Sequence, residues 1–239
     1  MDADIEYSDN RRFILFSPRL NEIIVFLDLQ QIIQFVLAAS VIIVAPGPDN
    51  IMVIGLGLSR GRRQGMVFGL GCGAGCFNHT LLTAFGVGVL ITASSWAFLT
   101  LKMCGGGYLI WLGVQALKNA RVGSLKSEGD LVAVNPETPF GKLFLRGFLS
   151  NIINPKVIVF FLAFLPQFVD SSRGFFGWQI AQLGALFAVE TMIVFSVIGF
   201  FAGWLGERFT RFPGLGLWLD RSSGAVFIII GLTLWITRM

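Results

Sequence analysis

The chain has 239 residues, 54% of them hydrophobic and only 13% charged, with a mean hydropathy of +0.74. A soluble domain of this size needs more surface charge than that, so the composition excludes one and points to an all-α integral membrane protein in a lipid bilayer. The net charge of +4 is no nucleic-acid footprint, because the Lys and Arg residues gather between apolar stretches, where they set topology.

Residues 1–28 mix Asp2, Asp4, Glu6 and Asp9 with Arg11, Arg12 and Arg19. The apolar run 13–16 is too short for a signal-peptide core, and Ser17-Pro18-Arg19 interrupts it; we read a poorly ordered N-terminal tail. Residues 29–239 read as one compact membrane domain. Six spans are predicted at about 31–56, 66–93, 96–117, 143–168, 175–204 and 222–237, each near the ~20 residues a helix needs to cross hydrocarbon. The polar stretch 119–142 reads as a linker between two halves, about 29–118 and 143–239.

The loops after spans 1, 3 and 5 hold Arg60, Arg62, Arg63, Lys118, Arg121, Lys126, Lys142, Arg146, Arg208, Arg211 and Arg221. They outnumber Arg11, Arg12, Arg19, Arg173 and Arg238 on the other side, so both termini are expected outside the cytoplasm.

Span 1 is interrupted by Ala45-Pro46-Gly47-Pro48-Asp49-Asn50. Proline removes a backbone donor and clashes with the preceding turn, and glycine weakens a helix further. In hydrocarbon such a break survives only against protein or a wet cavity. Span 4 carries a second break, Asn151-Ile152-Ile153-Asn154-Pro155-Lys156. Pro155 lies 155 − 46 = 109 residues after Pro46, and 66 + 109 = 175 joins the starts of spans 2 and 5. Each half then has three spans with a broken first helix. Three is odd, so the halves are expected to be inverted repeats, with a solute site at the matched breaks.

Four ionisable residues fall near mid-membrane: Asp49, His79, Lys156 and Glu190. Charge there costs ~2.5–3.5 kcal/mol or more in lipid, so these groups should face one another or water. A zwitterionic solute fits them: free N–H groups and Lys156 suit a carboxylate, while Asp49 and free carbonyls suit an ammonium or proton. Asp49, His79 and Glu190 are candidates for carrying a coupling proton. A structural ion pair is the alternative for Asp49 and Lys156, and a satisfied interhelical hydrogen bond the alternative for His79 and Glu190.

Span 2 carries glycines at 65, 69 and 73, and at 71 and 75, a pattern that lets helices approach closely. Cys72, Cys76 and His79 share one face of it, a spacing that suits a thiophilic metal ion; export of a divalent or heavy-metal ion is therefore the alternative function, although small packing residues explain the thiols more simply. No nucleophile, base and orienting group stand at readable spacing, so the chain is not read as an enzyme. No bound metal or cofactor is expected, and the glycine face leaves a homo-oligomer open.

Pro46-Gly47-Pro48-Asp49, Gly61-Arg62-Arg63-Gln64-Gly65, the glycine-rich span 2 with His79, Gly107-Tyr108-Leu109-Ile110-Trp111-Leu112-Gly113, and Asn154-Pro155-Lys156 followed by 160–168 stand in one order. In this order the chain resembles the LysE/RhtB family of bacterial inner-membrane amino-acid exporters over about residues 29–239. The resemblance implies six helices, efflux of amino acids or close derivatives of the threonine, homoserine, leucine, lysine or cysteine type, and coupling to the proton gradient. It places solute or ion binding at Pro46, Gly47, Pro48, Asp49, Asn154, Pro155 and Lys156, to which Asn50 is added for its own polar side chain in the first break, and a cytoplasmic loop motif at Gly61, Arg62, Arg63 and Gly65.

Overall fold

The computed structural model describes residues 27–45, 47–87, 94–119, 138–206 and 215–236. The tail, the body of the linker and Pro46 lie outside the described residues. Every described element is a helix: α1 (Leu29–Val44), α2 (Pro48–Arg60), α3 (Arg62–Leu82), α4 (Ser95–Asn119), α5 (Phe140–Ile152), α6 (Pro155–Val159), α7 (Phe176–Gly206) and α8 (Leu215–Ile236). A π-helical turn, Thr83–Val87, continues α3, and a second, Phe160–Phe164, continues α6 into the tight turn Leu165–Phe168.

The two predicted breaks are present. α1 and α2 meet at 62°, and α5 meets the α6 run at 51°. By length and composition, two described helices suffice to cross a membrane, Trp96–Lys118 and Phe176–Leu205, and each bent pair qualifies if taken as one span. The apolar part of α8, Gly224–Ile236, is shorter.

Glycine decides how closely the helices approach. α3 lies between α7 and α5. A Cβ on Gly69 would strike Phe195 of α7 and one on Gly73 would strike Met192, while one on Gly71 would run into the Phe144 carbonyl of α5. The contact is reciprocal, since a Cβ on Gly147 of α5 would meet the Phe68 carbonyl of α3. α4 and α8 pair in the same way, through Gly106 against Gly231 and Gly113 against Gly224. Both periodic glycine sets are thus packing surfaces within one chain.

The loop expected after span 1 shrinks to a single residue. Gly61 has φ +93°, a left-handed conformation that a residue with a Cβ adopts at a cost. It ends α2 and starts α3 at once. Arg62 stacks on Phe200 with its guanidinium carbon 5.2 Å from the ring centroid, Arg63 is exposed, and Gly65 fits against Gly57 and Gly199.

The candidate solute site at the crossed helix breaks

The last carbonyls of a helix lack intrahelical partners, and buried in an apolar interior each needs one. At the end of α1 the Ala45 N–H donates to the Val41 carbonyl at 3.0 Å. Asn50, in the first turn of α2, reaches back and donates Nδ2 to the Ile43 carbonyl at 2.8 Å and to Val44 at 3.4 Å. The remaining carbonyls are satisfied from elsewhere in the chain. Lys156 Nζ donates to Ala45 at 2.7 Å, to Ile42 at 3.2 Å and to Asn50 Oδ1 at 3.0 Å. An ammonium has three protons to donate, and all three find acceptors at the first break.

The second break is built from its own residues and from the first. Asn154 caps α6, its Oδ1 accepting from the Lys156 N–H at 3.1 Å, and Pro155 takes the first helical position, where a missing N–H costs nothing. Pro48 has the same place in α2. Asp49 follows it, its carboxylate favourable at the positive end of the helix dipole. Asp49 Oδ1 accepts from Ser150 Oγ at 2.7 Å and Oδ2 from Asn151 Nδ2 at 3.0 Å. Each break therefore holds the other: Lys156 closes the end of α1, and Asp49 holds the last turn of α5.

The third face comes from α3. His79 Nε2 lies 3.1 Å from the Asn151 carbonyl, and because that partner only accepts, Nε2 carries the proton. Cys76 Sγ lies 3.5 Å from Asn151 Oδ1. Below them Thr83 donates to the Phe161 carbonyl at 3.3 Å, so the two π-helical turns meet; such turns concentrate at functional sites. Phe160 stacks on Phe187 at 4.6 Å and Phe161 approaches the His79 ring at 5.5 Å, giving the cluster an aromatic floor. Asp49, Asn50, His79, Asn151, Asn154 and Lys156 are each at most 4% exposed. Among them Asn154 Nδ2 is a buried donor with no partner.

The structure thus brings Gly47, Pro48, Asp49, Asn50, His79, Asn154, Pro155 and Lys156 to one crossing. Glu190 is held elsewhere, by Ser40, and Gly61, Arg62, Arg63 and Gly65 belong to the α2–α3 turn. Ser150 is a site residue that the sequence reading does not single out; a hydroxyl beside Asn151 in the last turn before the second break is its only signal. Among the described residues no three His, Cys, Asp or Glu side chains form a group able to hold a metal ion.

The matched breaks and the residues between them fall inside the stretch 40–238, which matches the family model described as LysE type translocator. The chain belongs to the LysE type translocator family. It is similar to the threonine efflux protein of Escherichia coli K12, 34% identical over 205 residues that cover 83% of this chain and 94% of that protein. It is similar also to the homoserine/homoserine lactone efflux protein of Salmonella typhimurium, at 30% identity over 200 residues, 82% of this chain and 92% of that protein. A membrane protein of Vibrio cholerae shares 31% identity over 211 residues, 87% of this chain and 98% of its own length. No solved structure matches significantly. Membership of the LysE type translocators makes this a multi-pass membrane transporter rather than an enzyme, and among the described residues the crossed breaks and the α3 face beside them gather six of the eleven buried polar side chains.

Proposed function

We propose that this translocator exports amino acids or close derivatives, of the threonine, homoserine, leucine, lysine or cysteine type, across the bacterial inner membrane by proton-coupled alternating access. The observation that carries the reading is the exchange of partners between the breaks, with Lys156 on the end of α1 and Asp49 on the end of α5. The names of the Escherichia coli and Salmonella relatives support amino-acid or homoserine efflux.

A zwitterion carries both groups needed to compete for those bonds. Its ammonium replaces the Ser150 and Asn151 donors on Asp49. Its carboxylate meets the unpartnered Asn154 Nδ2 and draws Lys156 from the carbonyls of Ile42 and Ala45. Binding thereby loosens the ties between the breaks, and release restores them. A site of this kind has differential affinity for two states, which transport requires. Asp49 and His79 at the crossing, and Glu190 on Ser40 beside it, are the three candidates for the coupling proton. We read the protein as six spans in two inverted halves, about 29–118 and 143–239 joined by 119–142, with both termini outside.

Counterflow in proteoliposomes tests this. Vesicles are preloaded with unlabelled amino acids, and entry of labelled threonine, homoserine, leucine, lysine and cysteine is followed with and without a pH gradient. Exchange within one group, accelerated by the gradient, is the expected result. No exchange across the panel by folded protein would overturn the amino-acid reading and turn attention to the metal-ion export that the Cys72–Cys76 face raises.

A further inference from the structure

The end of α1 is held by two helices at once. Lys156, on α6, takes the carbonyls of Ile42 and Ala45. Two residues before Ile42, Ser40 donates its hydroxyl to Glu190 Oε1 on α7. Glu190 Oε2 is buried without a hydrogen-bond partner. A carboxylate in that position would carry a desolvated charge with one oxygen unsupported, whereas the neutral acid leaves only one hydrogen bond unmade. The neutral acid is the cheaper state.

Among the described residues, the titratable groups on the elements packed against α7 do not reverse that preference. α1 offers Glu190 no titratable group, nor do the two continuations of α3 and α6 that touch α7. On α3, Cys72 is buried, Cys76 Sγ lies 4.0 Å from Thr191, the residue next to Glu190, and His79 is on the Asn151 carbonyl. On α2, Asp49 is held by Ser150 and Asn151. Lys156 directs its three donors to α1 and Asn50.

We infer that Glu190 carries the coupling proton, and that the turn Ser40–Ala45 transmits its state to the solute site. In the conformation seen here Glu190 is the neutral acid. When α1 shifts and water reaches Oε2, the O–H bond breaks and the proton passes to water, leaving a carboxylate. The proton is regained from water on the opposite side of the membrane. The same turn of α1 supplies the carbonyls that hold Lys156, so a change at Ser40 and a change at the solute site are one movement. The inference rests on the export reading above and adds the place where the ion binds, separate from the crossing.

The test uses the full chain in liposomes with labelled threonine as probe, comparing exchange at equal pH with accumulation driven by an imposed pH gradient. Glu190→Gln should lose the gradient-driven flux relative to exchange by roughly 5- to 150-fold, the usual span of a coupling free energy, while Glu190→Asp keeps part of it. Infrared spectra of the wild type at neutral pH should show the carbonyl band of a protonated carboxylic acid, absent in Glu190→Gln. Glu190→Gln that still accumulates threonine like the wild type, equal loss of exchange and accumulation, or no protonated-acid band in the wild type would each overturn the inference. Wild-type exchange that ignores the gradient would overturn it too, with export intact, whereas wild-type protein that exchanges no threonine would overturn the export reading for that solute and the inference with it.

Discussion

Lys156 lies across Gly47. A Cβ built on Gly47 would sit 3.2 Å from Lys156 Nζ and 3.3 Å from its Cε, and the two positions are 156 − 47 = 109 apart, the offset that relates Pro46 to Pro155. The lysine of one break therefore rests on the glycine at the matching place of the other. The absent side chain at 47 is what lets the ammonium reach three acceptors.

Gly47→Ala should displace the ammonium by a few tenths of an ångström, because the stem must give way. The expected cost is about 1–3 kcal/mol, as for other overpacked interiors, with a several-fold slower exchange. Thermal unfolding in detergent together with counterflow checks this; unchanged values in both would show that Lys156 does not depend on the space at 47.

Lys156→Met keeps much of the stem and removes the donors. The carbonyls of Ala45 and Ile42 and the Asn50 amide oxygen are then buried without a partner, at about 1–3 kcal/mol for each group left unsatisfied. We expect a lower melting temperature as well as lost transport. Lys156→Arg should not restore either, since a planar fork does not fit where a compact ammonium lies against Gly47.

Asp49→Asn preserves shape and removes charge. Hydrogen bonds to a charged acceptor are roughly twice as strong as neutral ones, and the new amide nitrogen faces one of the two donors, Ser150 or Asn151, that the carboxylate oxygens accept from separately. Export should be abolished while the protein remains in the membrane. Normal export by this variant would remove Asp49 from the proposed role.

Gly147→Ala puts a methyl group against the Phe68 carbonyl, and Gly71→Ala does the same against Phe144. Backbone cannot yield as a side-chain end does, so α3 and α5 must separate. Since α5 carries Ser150 and Asn151 and α3 carries His79, we expect reduced folded yield together with loss of exchange in the remaining protein. Size-exclusion profiles and counterflow measure the two effects.

Outside the spans, Arg173 bridges Asp28 at 2.7 Å and Asp170 at 3.0 Å. Hydrogen bonds from the Ser172 hydroxyl and N–H, then the Arg173 charge, hold the Asp170 carboxyl below its ordinary value. A depressed carboxyl stabilises the fold above its unfolded-state pKa, and that contribution is lost as pH falls through the lower folded-state value. Acidification below the usual carboxylate range should therefore loosen the 170–173 turn and its tie to Asp28. Melting curves across that range should show the loss in the wild type and a flatter profile in Asp170→Asn.

The breaks, their charges and the glycine surface of span 2 were legible because proline, glycine and intramembrane charge each have few tolerable explanations in lipid, whereas the glycine pairing of α4 with α8 was not read from the sequence. The identities of the partners were not. That Lys156 would close the end of α1, rather than wait for a solute carboxylate, depends on how two distant segments cross, and no local pattern records that. Ser150 resembles any small residue in an apolar helix until Asp49 is set beside it. Glu190 was visible as a charge, but Ser40 and the bare Oε2 that give it meaning are tertiary facts. The one-residue junction at Gly61 was hidden for the opposite reason: three arginines and two glycines read as a loop, although the helical backbone runs through nearly all of them.

That junction leaves α2 and α3 almost no slack. With Gly61 alone between them, and Gly57, Gly65 and Gly199 in close contact, neither helix can slide without dragging the other. A displacement of Asp49 is thus handed directly to His79 through a rigid elbow. The chain bends by 62° and 51° within the two interrupted helix pairs, so its changes of direction are open joints there and a closed, glycine-packed corner at this end.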